Sequence, residues 1–192
     1  MASGLPIFIP SLLAGTRSTN SSICGNACWA LAMVVRFTSE QLITQYAPTI
    51  FDAIDAVLDT EMLARGVVEN AGVCLGMLAL KFPTLVAQQL EKVFQTWCFS
   101  LRRISNSEGE DKYFTIFGLL NVVELNANAI FNSNLTYLCD LIAIWAEPTE
   151  ELARRFYTVL QKFKANAPPE SWAGFLNLLS KDTRARLEKY NI

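Results

Sequence analysis

Apolar residues recur along this chain at three- and four-residue spacing in segments of roughly ten to twenty, each closed by a short polar joint. No stretch sustains the period-two alternation of a strand, so the pattern predicts an all-α fold. Helices are expected over about 5–14 and 18–37, then over 40–58 with Ser39 as its cap and Pro48 bending it. Another runs from Glu61 to Lys81, and after Lys81-Phe82-Pro83-Thr84 the next opens at Thr84 and reaches about Ile104. Ser105 to Asp111 is the one clearly polar loop, and its acids suit the N-terminus of a helix over 110–125. Further helices are expected over about 128–146 and from the Glu147-Pro148-Thr149-Glu150-Glu151 start to about Ala165. After Pro168-Pro169 a shorter one follows to about Leu179, and Asp182 caps a last one over 183–190.

The helical segments repeat. Gly25-Asn26-Ala27-Cys28-Trp29-Ala30-Leu31-Ala32-Met33 returns in register as Glu69-Asn70-Ala71-Gly72-Val73-Cys74-Leu75-Gly76-Met77, a step of 44 residues from Asn26 to Asn70. A fainter third copy places Thr115-Ile116-Phe117-Gly118-Leu119-Leu120 beneath Val73 to Leu78 with a step of 42. Such periods belong to HEAT and armadillo arrays. One superhelical α-solenoid is expected over 1–192, of about four and a half helix pairs, with repeats near 5–38, 40–82, 84–125, 127–166 and 168–190. Helix pairs of this kind cannot bury their apolar faces alone, and stacking them leaves an extended concave surface for partners. The pattern therefore describes a binding scaffold.

Composition narrows the chemistry. Of 192 residues 52% are hydrophobic, and the mean hydropathy of +0.26 exceeds what a free-standing domain usually needs, so some surface is expected to meet a neighbour. Net charge is −2 with no basic stripe, and Arg102-Arg103 and Arg154-Arg155 read as solvated helix faces, so no nucleic acid is expected as a partner. Histidine is absent, which removes the usual general base, His-based triads and imidazole metal sites. The dense acidic groups, Glu108/Glu110/Asp111 and Glu147/Glu150/Glu151, sit where helix starts want them, and neither an enzyme nor a cofactor is expected. The five cysteines show no C-x-x-C spacing and read as buried reduced thiols of a cytosolic or nuclear protein. The apolar start at Leu5 to Leu13 has two prolines and no preceding Lys or Arg, unlike a signal peptide, and no run suits a membrane span.

Several of these phrases resemble a known family. Gly25-Asn26-Ala27-Cys28-Trp29-Ala30, Glu69-Asn70-Ala71 with Gly76, Thr96-Trp97-Cys98-Phe99-Ser100-Leu101-Arg102-Arg103-Ile104 and Arg186-Leu187-Glu188-Lys189-Tyr190 are similar to the C-terminal HEAT repeats of the transportin (karyopherin-β2) branch of the importin-β superfamily. The resemblance runs from about Phe8 to Ile192 and covers about the last fifth of such a receptor. It implies a chain that starts inside a receptor and ends where one ends, with an apolar face over 5–37 where a preceding repeat would pack. By the same resemblance the chain is part of a nuclear import receptor that shuttles between cytoplasm and nucleus. Its cargo carries proline-tyrosine nuclear localisation signals, and the full-length receptor also meets nucleoporins and Ran-GTP, the latter mainly through repeats upstream of this chain.

In that family the apolar part of the signal packs on a tryptophan and an isoleucine of successive inner helices, positions that match Trp29 and Val73. Spacing adds that these two, 44 residues apart, occupy the same place on neighbouring helices and form a ladder roughly 10 Å per rung. Trp29 also lies off the small-residue stripe Ala27/Ala30/Leu31/Val34, so its ring can face a ligand. Ser21 stands where the family often has an apolar residue, which shrinks the cargo platform, and Thr115 is the expected third rung. Trp97, Trp145 and Trp172 read as packing residues. A HEAT scaffold for protein assembly, akin to a phosphatase regulatory subunit and without a transport role, is the alternative.

Overall fold

The computed structural model describes residues 4–60, 64–104, 110–131 and 134–192. Helices follow one another as α1 (Leu5–Gly15), α2 (Ser21–Phe37), α3 (Glu40–Ile43), α4 (Ala47–Leu58), α5 (Arg65–Lys81), α6 (Pro83–Gln88), α7 (Leu90–Ile104), α8 (Asp111–Leu125), α9 (Leu135–Ala143), α10 (Glu150–Asn166), α11 (Pro169–Leu178) and α12 (Lys181–Leu187). Among the described residues there is no strand, and the all-α expectation holds. The expected start at Glu61 and the polar loop over 105–109 lie outside the described residues.

Helix ends follow local chemistry, in places unlike the expectation. Asn20 Oδ1 opens α2 by accepting from the backbone N–H groups of Ser22 (2.9 Å) and Ile23 (3.2 Å). Thr149 Oγ1 caps α10 with Glu150 and Glu151 in its first turn. Pro48 does not bend a helix over 40–58: a 3₁₀ turn over Thr44–Tyr46 breaks the span, and Pro48 occupies the first turn of α4, where a missing N–H costs nothing. Gln89 splits the 84–104 span into α6 and α7, and the span over 128–146 contracts to α9 behind a 3₁₀ turn over Ala127–Ala129. Ser180, not Asp182, caps α12; Asp182 lies in its first turn and pairs with Arg186 at 3.0 Å.

The helices stack as two layers. The second helices of successive pairs, α2, α5, α8 and α10, pack in that order, while α4, α7, α9 and α12 form the first-helix layer behind them. One core runs between the layers. Trp97 is fully buried there and donates its indole N–H to the Gly72 carbonyl at 3.2 Å; Trp145 and Trp172 are buried as well, as expected of packing residues. Layered helix pairs of this kind make a HEAT-type α-solenoid.

Contact between second helices is backbone-close at one crossing. A Cβ on Gly118 of α8 would fall 2.3 Å from the Gly76 carbonyl oxygen of α5, and one on Gly76 would fall 2.6 Å from Thr115 Cα. Only residues without a side chain allow that approach. Helix C-termini are tied by lysines reaching from neighbours: Lys81 donates to the carbonyls of Val35, Arg36 and Thr38 at the end of α2, and Lys189 to those of Trp145 and Ala146 beyond α9.

All five cysteines are buried and unpaired. Burial pushes the Cys28 thiol up to about 12, with Cys24 beside it adding to the shift, and burial raises Cys74, Cys98 and Cys139 as well. Folded-state values above the unfolded ones mean that their contribution to stability is full below about pH 9 and is lost as pH rises toward the folded values. Thermal stability should therefore fall above about pH 9, and thiol labelling should stay slow until denaturant unfolds the chain. Gly118→Val should lower stability by about 1–3 kcal/mol, seen as a Tm lower by several degrees, because α8 must move off α5.

Candidate functional site

The free face of the second-helix layer is located by its contacts. On α5, Asn70 donates to the Gly25 carbonyl of α2 at 3.0 Å and Lys81 reaches the α2 carbonyls, so that side meets α2. Gly76 and Ala79 meet α8. Between those two sides lie Val73, Met77 and Leu80. The same frame, carried back 44 residues, puts Trp29, Met33 and Arg36 on the corresponding stripe of α2.

Trp29 is 51% exposed, an unusual state for the largest side chain in an apolar helix. Its rung partner Val73 shares the free stripe but keeps only 7% of its surface accessible, because α2 and α8 wall it on both sides. Ser21 is exposed in the first turn of α2, about two turns from the indole. With Ser22, Gly25, Asn26, Gly66 and Asn70 it borders a shallow hollow of about 350 Å³ between α2 and α5.

Thr115 is not a rung of this ladder. It has no accessible surface, packs against Gly76 and donates its hydroxyl to the Asp111 carbonyl at 2.6 Å. The α8 residue on the free stripe is its neighbour Phe114, 37% exposed, flanked by the α5 contact at Gly118 and the side where Asn121 and Glu124 accept from Arg155 of α10. Aligning Gly118 beneath Gly76 as equivalent positions set the step at 42, whereas the two glycines oppose each other across one crossing. Structurally Val73 matches Phe114, a step of 41, and one residue is about 100° of helix rotation. The sequence offered a signal for it: Phe114 follows the acids Glu110 and Asp111, which suit a cation on a neighbouring helix.

That cation is Arg36. Its guanidinium reaches across α5 to bond Asp111 (2.7 Å) and Glu110 (3.1 Å), and lies 4.5 Å from the Phe114 ring centroid and 5.0 Å from that of Phe37. The face thus presents, in order, an indole, a recessed valine, and an arginine-clamped phenylalanine. Among the described residues no cluster of Cys, Asp and Glu could hold a metal ion, and no helix is long and apolar enough to cross a membrane. What such a face can do is hold apolar side chains of an extended partner.

No protein-family profile matches the chain. Among curated proteins it is 25% identical over 184 residues to human Transportin-1, covering 95% of this chain and 20% of that protein. To the transportin of Dictyostelium discoideum it is 28% identical over 173 residues, 89% of this chain and 18% of the relative, and to Transportin-1 of Oryza sativa subsp. japonica it is 27% identical over 175 residues, 89% and 19%. The chain spans about a fifth of the length of the curated relatives it matches. Along nearly its whole length, then, this stack of helix pairs is similar in sequence to proteins named transportin.

Because Trp29 is half exposed and Trp97 is fully buried, their truncations should differ. Trp29→Ala should leave stability within about 0.5 kcal/mol of wild type. Trp97→Ala should cost about 3–5 kcal/mol. Chemical denaturation of the two variants checks this.

Proposed function

We propose that the chain is part of a nuclear import receptor, not an enzyme, and that its free second-helix face binds the apolar part of an extended cargo segment carrying a proline-tyrosine nuclear localisation signal. Trp29 is the principal contact, Val73 forms the recessed floor beside it, and Ser21 marks the edge of the platform. The observation that carries the reading is the half-exposed indole on a stripe that neither neighbouring helix covers. Similarity to proteins named transportin supports it. The receptor as a whole would engage nucleoporins and Ran-GTP, Ran mainly through repeats outside this chain, and shuttle between cytoplasm and nucleus.

Covering the open part of the indole with an apolar side chain would contribute about 1.5–3 kcal/mol before ordering costs. Trp29→Ala should therefore weaken binding of a fluorescent proline-tyrosine signal peptide by roughly ten- to a hundredfold. Phe99→Ala, at a comparably exposed aromatic on α7 in the other layer, should leave binding unchanged. Equal affinity of wild type and Trp29→Ala would reject the proposal and favour a scaffold whose partners are folded proteins.

A further inference from the structure

One contact crosses the free face without a role in holding a ligand. Arg36, in the last turn of α2, is bonded to Glu110 and Asp111 at the start of α8, and α5 lies between the two helices. We propose that this contact is a salt-sensitive clasp: closed, it fixes α2 and α8 at one separation across α5, and open, it lets α2 tilt and weakens ligand binding at Trp29. Arg36 is then a positioning residue that acts through the tilt of α2 without touching the ligand. The inference rests on the reading of Trp29 as a peptide contact.

The two interfaces that the clasp spans are unequal. α5 and α8 cross with glycine on glycine and leave no room for side chains between them. α2 and α5 meet less closely, since a Cβ on Gly25 would find Val67 at 3.5 Å, an ordinary contact. A hollow of about 200 Å³ also opens beneath the clasp, bordered by Met77, Leu80 and Lys81 of α5, Phe114 of α8 and Arg36 itself. Arg36 therefore bridges space instead of lying on packed side chains, and its own bonds hold the spacing there. Asn70 pins α2 at the Gly25 carbonyl, near its start, so the end that carries Arg36 has the longer lever, and Lys81 follows on a flexible stem. Trp29 lies between pivot and clasp, and a tilt of α2 shifts the indole over Val73. Solvent controls the strength of the contact. The side chains of Glu110, Asp111 and Arg36 are 79%, 41% and 24% exposed, so both ion pairs weaken as the screening length falls from about 10 Å at 0.1 M salt to about 3 Å at 1 M. The Phe114 and Phe37 rings, 4.5 and 5.0 Å from the guanidinium, orient the planar group, and an ammonium of the same charge does not make the same clasp. A ligand that fits one tilt of α2 binds that state in preference to the other, which couples the clasp to affinity.

All five native cysteines are buried, so spin labels attach selectively to the whole chain at Ser39→Cys, just past α2, and Leu125→Cys at the end of α8, both exposed positions. Pulsed dipolar spectroscopy should give one narrow distance at about 0.1 M salt and a longer, broader one at about 1 M. Arg36→Gln should give the broad distribution at both salts and, at the lower one, bind the fluorescent proline-tyrosine signal peptide about fivefold more weakly while keeping the dependence on Trp29. Arg36→Lys should recover only part of each effect. The exchange of Arg36→Asp with Asp111→Arg should restore both the narrow distance and the affinity, which a loss of packing alone does not predict; thermal melts confirm that each variant folds. A distance that ignores both salt and Arg36→Gln overturns the clasp. A distance that opens while peptide affinity holds overturns its control of binding. Peptide binding that ignores Trp29→Ala rejects the ligand reading and the control of binding together, while the distances still decide whether the clasp exists.

Discussion

The stack depends on how closely its second helices approach. At the α5/α8 crossing, glycine meets glycine, and the Thr115 backbone lies where a Gly76 side chain would be. Between α2 and α5 the separation is slightly larger: a Cβ on Gly25 would sit 3.5 Å from Val67, and Asn70 reaches back to the Gly25 carbonyl. Helices drawn this near leave only a narrow strip of each uncovered. What a side chain on that strip offers a partner then depends on its length: Val73 is nearly swallowed, while an indole or a phenyl ring projects beyond the walls. Tight packing and an exposed aromatic ladder are two results of the same small residues.

Arg36 turns that ladder into a connected surface. An ion pair with this exposure contributes modestly to stability, about 1 kcal/mol or less per contact. Its larger effect is geometric, because a guanidinium anchored on α8 from a stem on α2 spans α5 and limits how the three helices slide past one another. The guanidinium lies over the Phe114 ring while separate nitrogens bond two carboxylates, a planar forked arrangement that a lysine ammonium does not reproduce. Lys81 works from α5 on α2, so each of the two helices is held by a charge on a helix other than itself.

Much of this was legible in the residues, and the failures share a cause. Helix type, the 44-residue step and the open indole follow from periodicity, since Trp29 stands off a small-residue stripe whatever surrounds it. Boundaries at Pro48, Gln89 and Ser180 slipped because caps and prolines allow several local solutions that tertiary contacts choose between. The third rung failed by a single residue. Two glycines look like equivalent positions to an alignment, yet a close crossing wants glycine on both partners, and there the glycines face each other instead of facing the same way. Register along a stack is set by contacts between repeats, which a self-comparison within one chain does not contain.

A ladder differs from a pocket in how it generates affinity. No single rung encloses a ligand: the indole is open on one side, Val73 gives up a few per cent of its surface, and the Phe114 hollow is shallow. Each apolar contact is then worth no more than the burial of part of one side chain, while ordering an extended partner costs backbone freedom at every residue. Such a face favours a chain already restricted in its backbone, and it discriminates by the spacing of side chains more than by the identity of any one of them. Val73, contributing little area, is the recess between two projecting rings, and a longer side chain there would fill it.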